Sequence, residues 1–315
     1  MAAKPLFIKK LALLVAIEAV SGTIVVPVAA DAIKVSDVTL TPIEGDEVEE
    51  GIVMPHFGAS ESTLVTLYRK IAFSVGFAGV GVAGTIPGYA TLLRACAASA
   101  TNTAAPDPDA KTVFAPVTDD IESVTIYAVM DKQLYKMAGA RGNCKIAVDA
   151  KQIPKYQFEF TGGFFPVEVV ANMPAVNYSK FQKPIGVNKL NTTLAIDGYE
   201  AAASSFQFDF GNQVVKQDLM SIDATEITGR SSTLNVTFRN TSADVKDWIE
   251  MARVGAKVPV LLTHGQAATN TVSISAPLAQ IGKPTFSDAD GIQMVEIPMR
   301  LVPSDAGNDE WAITV

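Results

Sequence analysis

Short runs rich in β-branched and aromatic residues, each cut off by Gly, Pro, Asn or Asp, follow one another along most of the chain. That punctuation constrains the fold more than any other feature. The runs cover 33–41, 64–75, 123–130, 144–148 and 156–161, then 192–196, 205–210, 233–238, 258–262, 271–275, 293–301 and 311–315. In 156–161 Tyr156, Phe158 and Phe160 are interleaved with Gln157 and Glu159, so one face is apolar and the other polar. Such runs predict a mainly β fold with sandwich- or barrel-type sheets.

Only two stretches read as helical. Residues 89–98 hold strong helix formers, with Leu92, Leu93 and Cys96 on one face. Residues 242–253 start at a Ser242 N-cap with an acidic first turn and end before Gly255. They place Val245, Trp248 and Ile249 on one stripe. Both stripes are expected to pack on the core.

The order of elements suggests an internal duplication. Each helix follows a strand that begins Ser-Thr-Leu, at Ser62–Leu64 and again at 232–234, and each precedes further strands at 123–161 and 258–301. A chain of 315 residues accommodates two domains at about 150 residues each. The expected division is 1–183 and 184–315, near Lys183 and Pro184.

Composition excludes several classes of function. Charged residues are 18% of the chain, against about 25% in an average soluble protein, and the mean hydropathy is +0.24. Much uncharged surface must therefore be hidden in cores or between subunits. The net charge is −8, and no basic stripe is present to grip phosphates. Two cysteines, Cys96 and Cys144, and two histidines, His56 and His264, make no cluster with zinc-ligand spacing. The cysteines read as buried thiols, with a disulfide between them an open alternative. Four sequons begin at Asn177, Asn191, Asn235 and Asn240, and three of them read as folded into strands or turns.

Three features imitate function. Lys4, Lys9 and Lys10 precede an apolar run like that of a signal peptide, but Glu18 interrupts it, so an N-terminal strand or short helix is expected. Residues 71–93 are uncharged and long enough to span a bilayer, yet glycines and Pro87 dilute them. Gly79, Gly81 and Gly84 spell a dinucleotide-binding fingerprint, but the strand before them alternates like a half-exposed antiparallel strand. No nucleophile elbow, H-E-x-x-H or phosphate-binding loop occurs. No catalytic residue, cofactor, metal site or membrane segment is assigned, and a non-enzymatic protein is expected.

Residues 16–23 and 32–49, followed by Gly88–Cys96, resemble the major tail tube proteins of long-tailed, siphovirus-type bacteriophages. Ala97 stands where that family's pattern leads one to expect glycine. The resemblance implies tandem β-sandwich tail-tube domains, each with a flanking α-helix, whose inner sheets join into a β-barrel ring on oligomerisation. It implies stacked rings that form a conduit for DNA ejection, located in the virion tail and assembled in the host cytoplasm. With two copies of the fold the ring would be a homotrimer with pseudo-sixfold symmetry. The implied partners are further copies of the chain, a tape measure protein, and tail terminator and tip proteins. DNA would pass through without specific binding, and a lumen lined by carboxylates would repel its phosphates. The competing reading is an exported two-domain β-sandwich binding module or adhesin.

One acidic run invites a functional reading. Glu44, Asp46, Glu47, Glu49 and Glu50 open a long connection that reaches Glu61. It is either a solvated hairpin tip or, by the resemblance, a ring-stacking loop. Its counterpart in the second half is 211–229, with Gln217, Asp218 and Asp223.

Overall fold

The computed structural model describes residues 5–266 and 270–315; Lys4 of the leader-like stretch lies outside them. The described chain is mainly β, with two short α-helices. Its first half runs β1 (Leu11–Ile17), β2 (Ala32–Ile33), β3 (Val35–Glu44), β4 (Glu47–Glu49), β5 (Ser62–Leu64), β6 (Tyr68–Gly76), α1 (Ala90–Arg94), β7 (Thr101–Thr103), β8 (Lys111–Phe114), β9 (Val124–Met130), β10 (Gln133–Asp149), β11 (Lys155–Phe164) and β12 (Glu168–Val169). The second half runs β13 (Thr192–Ile196), β14 (Tyr199–Glu200), β15 (Ala203–Asp209), β16 (Asn212–Leu219), β17 (Ile222–Arg230), β18 (Thr233–Arg239), α2 (Trp248–Arg253), β19 (Lys257–His264), β20 (Val272–Ile281), β21 (Thr285–Ala289), β22 (Ile292–Leu301) and β23 (Ala312–Thr314).

The N-terminal apolar run is a strand. Leu13 and Val15 face the main core, while Ala12 and Leu14 are covered by Tyr127 and Met173. Burial on both faces explains why this run does not alternate.

One antiparallel sheet of eight strands crosses the molecule in the order β3-β6-β11-β10-β15-β18-β22-β21. Behind it lie β2-β1-β9-β10 in the first half and β14-β13-β19-β20 in the second. β20 also pairs β23, which pairs β8 and links the halves a second time. Among the described residues no path of pairings returns to its start, so the sheets do not close. The two halves follow matching pairing orders, and even their irregularities agree. Met137 and Ala140 pair Ile126 and Val124 across a bulge, as Ala276 and Ala279 pair Val260 and Val258.

β10 is 17 residues long because it serves two sheets. Its start pairs β9, its middle pairs β11 and its last five residues pair β15. The bulge near Gly139 lets the strand turn from one sheet into the other.

The core is continuous through both halves. Tyr156, Phe158 and Phe160 stack along β11, and Phe73 sits 5.7 Å from Phe158, ring centre to ring centre. Each such buried ring stabilises the fold by about 1.5–3 kcal/mol.

Both helices are shorter than the sequence suggests. α1 has five residues and ends in a Schellman-type turn, in which the Ala98 N–H donates to the Leu93 carbonyl. Ala97 takes the left-handed conformation there, with φ 58°, the geometry that glycine favours. Leu92, Leu93 and Cys96 are fully buried. α2 starts at an Asp247 N-cap, whose carboxylate accepts from the Ile249 and Glu250 N–H groups, and Ser242 caps only a preceding turn. The expected stripe therefore breaks up: Trp248 is buried, but Val245 and Ile249 are 63% and 60% exposed. With the helix starting five residues later, Val245 lies outside it and Ile249 is turned away from Trp248.

Candidate functional site

The glycine-rich loop is filled by protein. A Cβ on Gly79 would lie 2.6 Å from the Asn270 Cα, and the Gly79 N–H donates to the Asn270 side chain at 2.8 Å. Gly81, at φ +78°, carries the Gln182 amide against it. These glycines serve close packing, and their N–H groups form no open phosphate cradle. Among the described residues no group of His, Cys, Asp or Glu is placed to hold a metal ion. No helix among them is long and apolar enough to cross a membrane. Cys96 and Cys144 are free and buried, and burial pushes both thiols well above their ordinary range.

The surfaces left for function are the polar face of the eight-stranded sheet, its two edges and the two long loops. Several carboxylates on the polar face are matched within the chain. Lys155 bonds Asp37 at 2.6 Å and holds that carboxyl below its usual range. Lys70 bonds Glu44 at 3.1 Å, and Lys145 lies 3.2 Å from Asp209, which also accepts from Asn143. Asp149 accepts from Gln207, and Glu296 from Asn235. This face carries amides, hydroxyls and several internally paired charges, beside Glu159 and Arg300, which have no ion-pair partner among the described residues.

The first long loop leaves β3 at Glu44, pairs β4 with β5, and returns to β6. Asp46 is anchored by its N–H donating to Thr66 Oγ1 at 2.7 Å, and Glu47 accepts from Ser62 at 3.2 Å. Glu49 and Glu50 stand exposed beside it, and the Glu50 N–H donates to the Glu61 carbonyl. Beyond them the tip carries apolar side chains into solvent, with Val53 95% exposed and Phe57 fully so.

The second loop is a two-stranded ribbon of β16 and β17 with one register shift near its base, where the sequence suggests only a connection. Gln217 and Asp218 lie on β16, Asp223 on β17 opposite Asp218, and Asp223 ion-pairs Lys216. Its base is fixed to the first half. Asn212 donates to the Cys96 and Gly142 carbonyls, and Arg141 bonds Glu226, the Thr225 carbonyl and the Ile121 carbonyl. Its tip, like that of the first loop, exposes apolar residues: Leu219, Met220 and Ile222.

The fold thus keeps the two acidic loop sets apart and puts each at the end of its own hairpin. The sequence does not say which strands form the open edges of the sheet. β3 bonds only β6 and β21 bonds only β22, so each leaves one side of its backbone unpaired among the described residues. Phe286 on β21 is half exposed where an interior strand would bury it. Pro42, Pro284 and the bulges of β3 blunt these edges.

A family model described as phage tail tube protein matches residues 10–300. A search of curated proteins finds no match.

Proposed function

Since the chain belongs to the phage tail tube protein family, and is thus a structural component of the virion tail, we propose that three copies close into a ring. The rings stack into the tube through which DNA is ejected. In this reading residues 1–183 and 184–315 are two copies of one tube domain. The observation that carries it is the eight-stranded sheet built from two four-strand sets with the same pairing order. The joint between the sets, β10 with β15, is then an internal version of the joint between chains. Closure uses the free edges, as head-to-tail contacts that complete a rotation do.

The polar face lines the lumen in this reading. Its several internally paired charges offer phosphates little grip and little repulsion, a gentler passage than the carboxylate-lined channel suggested by composition. The loop tips with Val53, Phe57 and Met220 stack one ring on the next, burying apolar groups that the single chain exposes. Assembly takes place in the host cytoplasm, and the tube ends meet tape measure, terminator and tip proteins.

Negative-stain microscopy and mass photometry of concentrated protein test the ring. Three-chain rings or tubes are expected. A monomer at every concentration overturns the reading and favours a binding module.

A further inference from the structure

The inference rests on the ring reading above and specifies its joint. Inside the chain, β10 and β15 pair with Lys145 opposite Asp209, Ile146 opposite Phe208, Ala147 opposite Gln207 and Val148 opposite Phe206. Ile146, Phe208, Val148 and Phe206 are all buried by that joint and the core behind it. The pairing orders transfer this register to the free edges. Phe208 and Leu40 hold the same place, because Leu234 and Ile71 lie opposite them and are themselves opposite Met299 and Phe160. Ile146 and Phe286 hold the same place, opposite Tyr156 and Val295 in the adjoining strands. An even number of antiparallel strands also makes the two edges run in opposite directions, as antiparallel pairing between copies requires.

The β16–β17 ribbon adds a second contact at the internal joint, through Arg141 on β10 to Glu226 and Thr225. The place of Arg141 in the second half is taken by Gln280, paired with Arg300. There the surface stands open as a cleft of about 830 Å³ that includes Gln280, Lys283 and Arg300. Among the described residues neither Lys283 nor Arg300 has a carboxylate partner. The loop equivalent to the ribbon is the acidic β4–β5 hairpin, whose strands pair only with each other among the described residues.

We infer that the occupant of both surfaces is a second copy of this chain. Its β3 adds to β21 with Leu40 opposite Phe286 and Thr39 opposite Ser287, and its acidic hairpin settles against Lys283 and Arg300. Phe286 is thereby buried as Ile146 is, and the blunted edges limit the joint to a few residue pairs in one register. The carboxylates of the hairpin supply partners for Lys283 and Arg300, because the cleft's own carboxylate, Asp209, is taken up by Lys145 and Asn143, which favours this partner and orientation over others.

The test is a full-length Thr39→Cys, Ser287→Cys chain, oxidised after assembly, beside a Thr39→Cys, Ala289→Cys chain shifted by two residues. Thr39, Ser287 and Ala289 are exposed in the single chain, and the buried native cysteines do not compete. The first chain is expected to give a covalent ladder on denaturing gels, and the second little or none. Rings by microscopy without that preference overturn the joint and leave the ring reading standing; absence of rings in the unaltered chain overturns both. Separately, Lys283→Glu with Arg300→Glu should raise the half-assembly concentration about tenfold. Adding Glu47→Lys and Glu49→Lys should restore it. Unchanged assembly after the first charge reversal overturns the hairpin contact.

Discussion

Glu18 and Gly139, 121 residues apart, are joined at the point where β10 turns between its two sheets: the Gly139 N–H donates to Glu18 Oε1 at 2.9 Å. The same buried carboxylate accepts from the Ser123 and Thr125 hydroxyls and from the Gly22 N–H. The residue that spoils the leader-like apolar run is thus the clamp on the main bulge of the fold. Glu18→Ala leaves several buried donors unpaired and should cost about 3 kcal/mol or more. Urea unfolding of the two chains measures this, and a loss below about 1 kcal/mol would show that water replaces the carboxylate.

Arg141 ties the β16–β17 ribbon to the first half. In Arg141→Leu the ribbon should loosen without global unfolding. Hydrogen exchange over 212–230 should speed up by tenfold or more, for a lost anchor of about 1.5–3 kcal/mol. Equal acceleration in β11 would mean instead that the whole sheet depends on Arg141.

Val53 and Phe57 are exposed at the tip of the first loop. Val53→Asp with Phe57→Asp should leave the unfolding midpoint of the single chain within about 0.5 kcal/mol of the original. It should nevertheless prevent rings from stacking into tubes. Tubes of normal length in electron micrographs would remove these residues from the stacking contact.

His264 is buried beside Phe77, with Nδ1 2.8 Å from the Thr192 hydroxyl. Desolvation lowers its pKa below 6.5. Well above pH 6.5 the ring is neutral in the folded and unfolded chain, so it adds no pH dependence there. As pH falls below 6.5 the unfolded chain takes up the proton first, and stability declines until the folded-state pKa is passed. Unfolding free energy between pH 7 and 5 should fall more steeply in the original chain than in His264→Gln. Parallel curves would assign the decline to other groups.

Cys96 and Cys144 should resist a thiol reagent in native protein at pH 8, because both thiols are buried and their pKa values are raised. Both should react once denaturant is added. Rapid native labelling would indicate frequent opening of the core.

The strands with plain alternation were legible. Tyr156, Phe158 and Phe160 point into the core as their spacing suggests. Ala97 is equally instructive: the resemblance marked it as a place for glycine, and its backbone is left-handed there. Only the C-terminal end of the long β10 is legible as a strand, because the part before it contains Gly139, Arg141 and Gly142 and carries no clean period. Its shape comes from a sheet-to-sheet turn stabilised by the distant Glu18. The acidic residues near Glu44 read as an open connection, whereas Glu44 ends β3 and Glu47 and Glu49 lie in β4; the complement proposed for them, at Lys283 and Arg300, is separated from them by most of the chain. Val245 and Ile249 were misread because Asp247 outcompetes Ser242 as the helix cap.

The covalent continuity of β10 through to β15 has a kinetic meaning. In the proposed ring every other joint forms during folding of a single polypeptide, at an effective concentration that no dilution can lower. Only the remaining joints depend on collisions between molecules. A tube made this way needs half as many encounters per turn as one made from single-domain subunits. Its rings should therefore come apart at the intermolecular joints, into chains that still carry an intact piece of wall.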